Sequence, residues 1–226
     1  MKLSALTLAA GIAFSTSAFA TMDEWDSTSN PWGSSTLASQ AEWNEFAWTS
    51  ASASTKTYKD ATPDVDGAGV LTAVGTPIIT STSNIYSWQE TPISYSVALA
   101  GTVGDVFDVY LRVATLGLAP STSAYLNGVA ATAVETFYEY NGTQFGMVDA
   151  EHEFYFKWSN VTGTSLYTFS WKDTTAHTSL DQLAVATVKV TAPVVAVPEP
   201  STYGMMAIGL GLIGFMGRRS RKQRLA

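Results

Sequence analysis

The sequence predicts an all-β fold: an antiparallel β-sandwich, with a signal helix before it and a transmembrane helix after it. Three observations carry this. Several segments alternate apolar and polar residues with a period of two, Asn-Gly pairs and Gly-rich stretches punctuate them, and no amphipathic helix intervenes.

Residues 1–20 open with Met1-Lys2, continue through an apolar stretch from Leu3 to Phe14, and end in Ser17-Ala18-Phe19-Ala20. A basic start, a short apolar middle and small residues before the break make a secretory signal peptide, cut before Thr21. The sandwich domain then runs over residues 21–190. Within it, the segment 36–48 fits two patterns. Leu37, Ala41 and Trp48 can share a helical face behind a Thr36 cap, or Glu42 to Trp48 can alternate as an edge strand. Gly- and Ser-rich stretches at 27–35 and 50–57 read as loops.

From Ile93 the alternation is plain. Ile93, Tyr95, Val97 and Leu99 form one row and Ser94, Ser96 and Ala98 the other. After a turn at Gly101 to Gly104, Phe107, Val109, Leu111 and Val113 point inward while Asp108, Tyr110 and Arg112 point out, so the two segments are expected to pair as a hairpin. Asn127-Gly128 and Asn141-Gly142 predict two more tight hairpins, because these residues tolerate the positive φ angles of a type I′ turn. Further strands follow. His152, Phe154, Phe156 and Trp158 face in against Glu151, Glu153, Tyr155 and Lys157; Tyr167, Phe169 and Trp171 alternate with Leu166, Thr168 and Ser170; Leu180 to Val190 closes the pattern.

Composition narrows the chemistry. With no cysteine and only His152 and His177 in 226 residues, thiolate metal sites, disulfides, iron–sulfur clusters and three-histidine sites are excluded. Residues 21–198 hold 6 Lys and Arg against 18 Asp and Glu, a net charge of −12. That balance argues against nucleic acid as a partner and favours cations or neutral polymers.

Asp60, Asp64 and Asp66 beside Gly67 and Gly69 offer hard oxygen ligands of the kind calcium takes, although an EF-hand register starting at Asp64 fails at Ala68 and Gly75. A solvated acidic loop is the alternative reading. Strand alternation separates His152 from Glu151 and Glu153, giving a buried histidine beside exposed carboxylates. No nucleophile elbow, paired-histidine motif or phosphate-cradling loop is present, so the sequence offers no catalytic residue. Most of the Trp and Tyr side chains belong in a core. Tyr110 and Tyr155 on outward rows, and Trp25, Trp32 and Trp88 on loops, are the candidates for stacking on a sugar ring.

The C-terminus has three parts. Thr191 to Pro200 is a Pro- and Val-rich linker ending in Pro198, Glu199 and Pro200. An apolar segment runs from Tyr203 to Gly217, and Arg218, Arg219, Arg221, Lys222 and Arg224 follow it. Fifteen apolar residues are short of the roughly 20 that cross a bilayer comfortably, and the basic tail stays on the cytoplasmic side. This arrangement over 198–226 resembles the PEP-CTERM sorting signal. The resemblance implies recognition of Pro-Glu-Pro by exosortase, a membrane protease-transpeptidase. It also implies an inner-membrane-anchored precursor in a Gram-negative bacterium that makes exopolysaccharide, with delivery to the cell surface or extracellular matrix.

Ser179-Leu180-Asp181-Gln182-Leu183-Ala184-Val185 is similar to the Asp-x-Leu-x-Val ending of jelly-roll modules in exported and carbohydrate-binding proteins. That resemblance implies a jelly-roll-like sandwich. It also implies that Asp181 helps hold a structural calcium with acidic residues of the N-terminal strand, for which Glu42 and Glu45 are candidates. The expected function is a non-enzymatic surface or matrix protein with a structural or adhesive role in biofilm. The alternatives are a carbohydrate-binding module, calcium-stabilised or not, and an extracellular hydrolase.

Overall fold

The computed structural model describes residues 25, 30–87, 91–118, 121–144, 147–191, 205, 206, 208 and 210. The chain divides into two compact units, Met1–Val190 and Thr191–Ala226. In the second, Met205, Met206, Ile208 and Leu210 are helical and exposed. Among the described residues no helix is long and apolar enough to cross a membrane. The expected signal peptide lies outside the described residues, as does most of the 203–217 segment.

The described strands all belong to the first unit. They are β1 (Leu37–Trp43), β2 (Ser50–Ser52), β3 (Thr57–Asp60), β4 (Asp66–Gly67) and β5 (Gly69–Val74). Next come β6 (Pro77–Ile79), β7 (Ile85–Ser87), β8 (Ser94–Ala100), β9 (Val106–Gly117) and β10 (Ser123–Leu126). The last are β11 (Val129–Thr132), β12 (Val134–Gln144), β13 (Met147–Thr162), β14 (Leu166–Lys172) and β15 (Thr178–Lys189). They form two antiparallel sheets. One has the order β12-β13-β9-β15-β1-β4, with β7 on β15 and β6 on β7; the other has the order β11-β10-β14-β8-β5-β3-β2.

The predicted inward rows form the core between the sheets. Phe107, Val109, Leu111 and Val113 of β9 and Phe154, Phe156 and Trp158 of β13 face Tyr95, Val97 and Leu99 of β8 and Tyr167, Phe169 and Trp171 of β14. Trp158 meets Phe169 edge-on, with ring centroids 5.9 Å apart. Each such side chain contributes about 1.5–3 kcal/mol by leaving water, which is why a strict period of two fixes the sandwich. Asn127-Gly128 makes the expected two-residue turn between β10 and β11, both residues having positive φ (48° and 85°).

Five expectations are corrected. The segments around Gly101 to Gly104 do not form a hairpin, because β8 pairs with β14 and β5 while β9 pairs with β13 and β15. The loop instead crosses from one sheet to the other beside the β13–β14 crossing. Gly101 N donates to Ser165 O (3.1 Å) and Gly163 N to Asp105 O (2.7 Å). Asn141-Gly142 is not a turn either. It forms a bulge within β12, and the arm continues to the pair Gln144↔Met147. The open choice over 36–48 resolves to a strand, β1, that stops at Trp43 and lies between β15 and β4, so it matches neither of the two alternatives, the helix or the edge strand over 42–48.

The fourth correction concerns the outward row of β9. Tyr110 and Arg112 are buried, because Trp25 and Trp32 lie across that face. The fifth reverses His152 and Glu153. Glu153 is fully buried beside Arg112, whereas His152 is half-buried against Tyr138 and the exposed Glu135 of the edge strand β12, its Nδ1 2.8 Å from the Glu135 carboxylate.

Candidate functional site

Cross-strand register builds a groove on the outer face of the first sheet. One row reads Tyr155, Arg112, Ala184, Glu42, Asp66 across β13, β9, β15, β1 and β4. The next reads Lys157, Tyr110, Ala186, Gln40. Directly paired residues share a face. The central strand therefore carries only methyl groups at Ala184 and Ala186, leaving a trough between the long side chains on β9 and those on β1.

Two tryptophans wall this trough. Arg112 Cζ lies 3.9 Å from the centroid of the Trp25 ring, and Trp25 Nε1 donates to Glu42 Oε1 at 2.8 Å. Trp32 packs edge-on against Tyr110, with centroids 5.9 Å apart. What remains is a cavity of about 270 Å³ lined by Trp25, Asn30, Trp32, Gln40, Glu42 and Asp66, with Arg112 and the β15 backbone residues beneath. This is at the small end of ligand pockets and gives room for about one sugar-sized ring.

Gly67 places the rim carboxylate. It has φ 77°, and a Cβ on it would run into the carbonyl of Gln40, so only glycine lets β4 lie this close to β1. Asp66 then accepts from Gly67 N (2.7 Å) and from Gln40 Nε2. On the floor, Arg112 Nη2 donates to Glu153 Oε2 at 3.0 Å. Burial pulls the Arg112 guanidinium below its ordinary value, and Glu153 opposes that shift. Next along the sheet, Lys157 pairs with Asp108 at 2.7 Å.

The structure thus brings together Trp25 and Trp32, with Tyr110 as the support for Trp32. Tyr155 is half-buried beside Arg112 and does not line the cavity. Trp88 lies outside the described residues.

The acidic candidates part company. Asp66 lines the groove. Asp60 is buried in the other sheet, accepting from Ala47 N (2.9 Å) and Thr62 N (3.0 Å), and its burial pushes the carboxyl above its ordinary value. Asp64 accepts from Asn44 N (2.9 Å) and Glu45 N (3.2 Å), and Asp181 accepts from Asn84 Nδ2. Among the described residues no three His, Asp or Glu side chains group in a way that could hold a metal ion.

Sequence reasoning missed Gln40, Arg112 and the two alanines, and it assigned Glu42 to a calcium site with Asp181 rather than to this groove. One signal was available. Arg112 is the sole arginine before position 218, and it lies in a strand whose inward row is entirely apolar.

A PEP-CTERM protein-sorting motif matches residues 196–222, which contain Pro198, Glu199 and Pro200 and the basic residues Arg218, Arg219 and Arg221. These residues, together with Tyr203 and Gly217, lie outside the described part of the structure. No curated protein and no solved structure matches the chain. The motif marks an exported protein whose processing partner is exosortase.

Proposed function

We propose that the chain is a non-enzymatic component of the cell surface or extracellular matrix, and that its sandwich holds exopolysaccharide in the Trp25–Trp32 groove. The 203–217 segment anchors the precursor in the inner membrane of a Gram-negative bacterium until exosortase acts. The observation that carries the binding role is the groove itself. It has aromatic walls for the apolar face of a pyranose and side-chain amides and carboxylates for its hydroxyls, all outside the core. The net charge of −12 on residues 21–198 suits a neutral or cationic polymer.

A glycan array probed with the full chain tests this. Binding that Trp32→Ala abolishes, with the fold intact by circular dichroism, supports the proposal. Silence across the array leaves a structural role without glycan, and turnover of any polysaccharide overturns the non-enzymatic assignment.

A further inference from the structure

We infer that the groove selects a sugar bearing a free ammonium group, a 2-amino-2-deoxy hexose unit, over N-acetylated and uronate units. This inference rests on the glycan-binding reading above.

The argument is one of charge placed by register. The groove carries Glu42, half-buried, on its floor and Asp66, exposed, on its rim. Among the described residues that line it the single cation is Arg112, matched by Glu153 at 3.0 Å and covered by the Trp25 ring at 3.9 Å. The next cation along the sheet, Lys157, is matched by Asp108. Counting Glu42, Asp66 and Glu153 against Arg112, the described residues of the groove carry a net charge of −2.

A uronate entering this space meets two carboxylates and no unmatched lining cation, so it is repelled. An ammonium gains a charge-assisted hydrogen bond to a carboxylate, about twice as strong as a neutral one. Low-dielectric walls concentrate that field within the groove, and the acidic body extends it outward. The hydroxyls of the same ring remain for Asn30 and Gln40, and its apolar face for Trp32. An N-acetyl group keeps the ring contacts and loses the charge, so affinity should fall without vanishing.

The test uses the full chain in about 0.15 M salt, where exposed charges more than ~8 Å apart are largely screened. Three disaccharide probes are titrated by calorimetry: β-1,4-linked diglucosamine with free amines, its di-N-acetyl form, and digalacturonate. The expected result is that the amine form binds about tenfold tighter than the acetylated form and the uronate does not bind. Asp66→Asn should bring the first two within about twofold by weakening the amine form most, and Trp32→Ala should remove both.

Equal affinity for the amine and acetylated forms overturns the ammonium selectivity and leaves the glycan-binding reading standing. No binding by any probe overturns the amino-sugar selectivity, and silence across the glycan array as well overturns the glycan-binding reading itself. An amine preference that survives Asp66→Asn and Trp32→Ala overturns the assignment to this groove, because it then belongs to the acidic surface as a whole.

Discussion

The guanidinium of Arg112 lies 3.0 Å from the carboxylate of Glu153, on the face of the sheet that points away from the sandwich core. Their side chains are 6% and 0% exposed, so the pair is as dry as an interior one although it sits outside the core. Trp25 provides much of that cover, its ring stacked on Arg112 and its Nε1 tied to Glu42.

Removing one partner from a buried pair leaves an uncompensated charge, which costs about 3–5 kcal/mol, whereas removing both can be close to neutral. Glu153→Gln should therefore lower the urea midpoint strongly, and the Arg112→Met, Glu153→Leu double variant should recover most of the loss. A single-variant cost below about 1 kcal/mol would place the pair in the class of solvent-exposed ion pairs.

Gly67 couples stability to the rim of the groove. In Gly67→Ala the new methyl collides with the Gln40 carbonyl, and the positive φ adds strain. The variant should lose about 1 kcal/mol or more and carry Asp66 away from Glu42. Equilibrium unfolding reads the first effect. A diglucosamine titration that resembles Asp66→Asn reads the second.

Much of the sandwich was legible because burial writes a period of two. The rows Ile93 to Leu99, Phe107 to Val113 and Tyr167 to Trp171 all face the core as their alternation requires. Pairing was less legible. A Gly-rich stretch such as Gly101 to Gly104 gives the same local signal whether it turns a hairpin or crosses between sheets, and only the competition of β14 and β15 for the edges decides. The groove was half legible. Trp25, Trp32 and Tyr110 were visible as loop or outward-row aromatics. Their meeting depends on register between β1, β15 and β9, strands more than sixty residues apart, and on two alanines that carry no chemical signal of their own.

Exosortase processing predicts a change of mass. Intact-mass analysis of protein extracted from the surface of its native host should show a chain that no longer ends at Ala226. Replacing Pro198 and Glu199 by alanine removes the recognition motif and should retain the whole tail. A wild-type mass that includes Ala226 would reject cleavage by the sorting enzyme.

Asp173 should make the fold lose stability as pH rises from about 4 to about 7. It follows β14 and is 5% exposed, below Tyr95 and Trp171, whose rings stack with centroids 5.0 Å apart. Burial raises its carboxyl from the ordinary 3.8 to about 7, against smaller opposing effects of the Ile93 backbone and the Tyr95 hydroxyl. The folded chain keeps this proton up to about pH 7, while the unfolded chain releases it near 3.8. Between those values the folded state binds more protons, so raising the pH favours unfolding. The stabilisation is fully present below about pH 4 and lost as pH rises through about 7, at up to about 1.4 kcal/mol per pH unit. Asp173→Asn keeps the shape and removes the titration. The difference in unfolding free energy between wild type and this variant, followed from pH 4 to 8, should therefore move steadily against the wild type as pH rises. A difference that stays flat over that range would mean that Asp173 is ionised in the fold, with its charge matched by a partner.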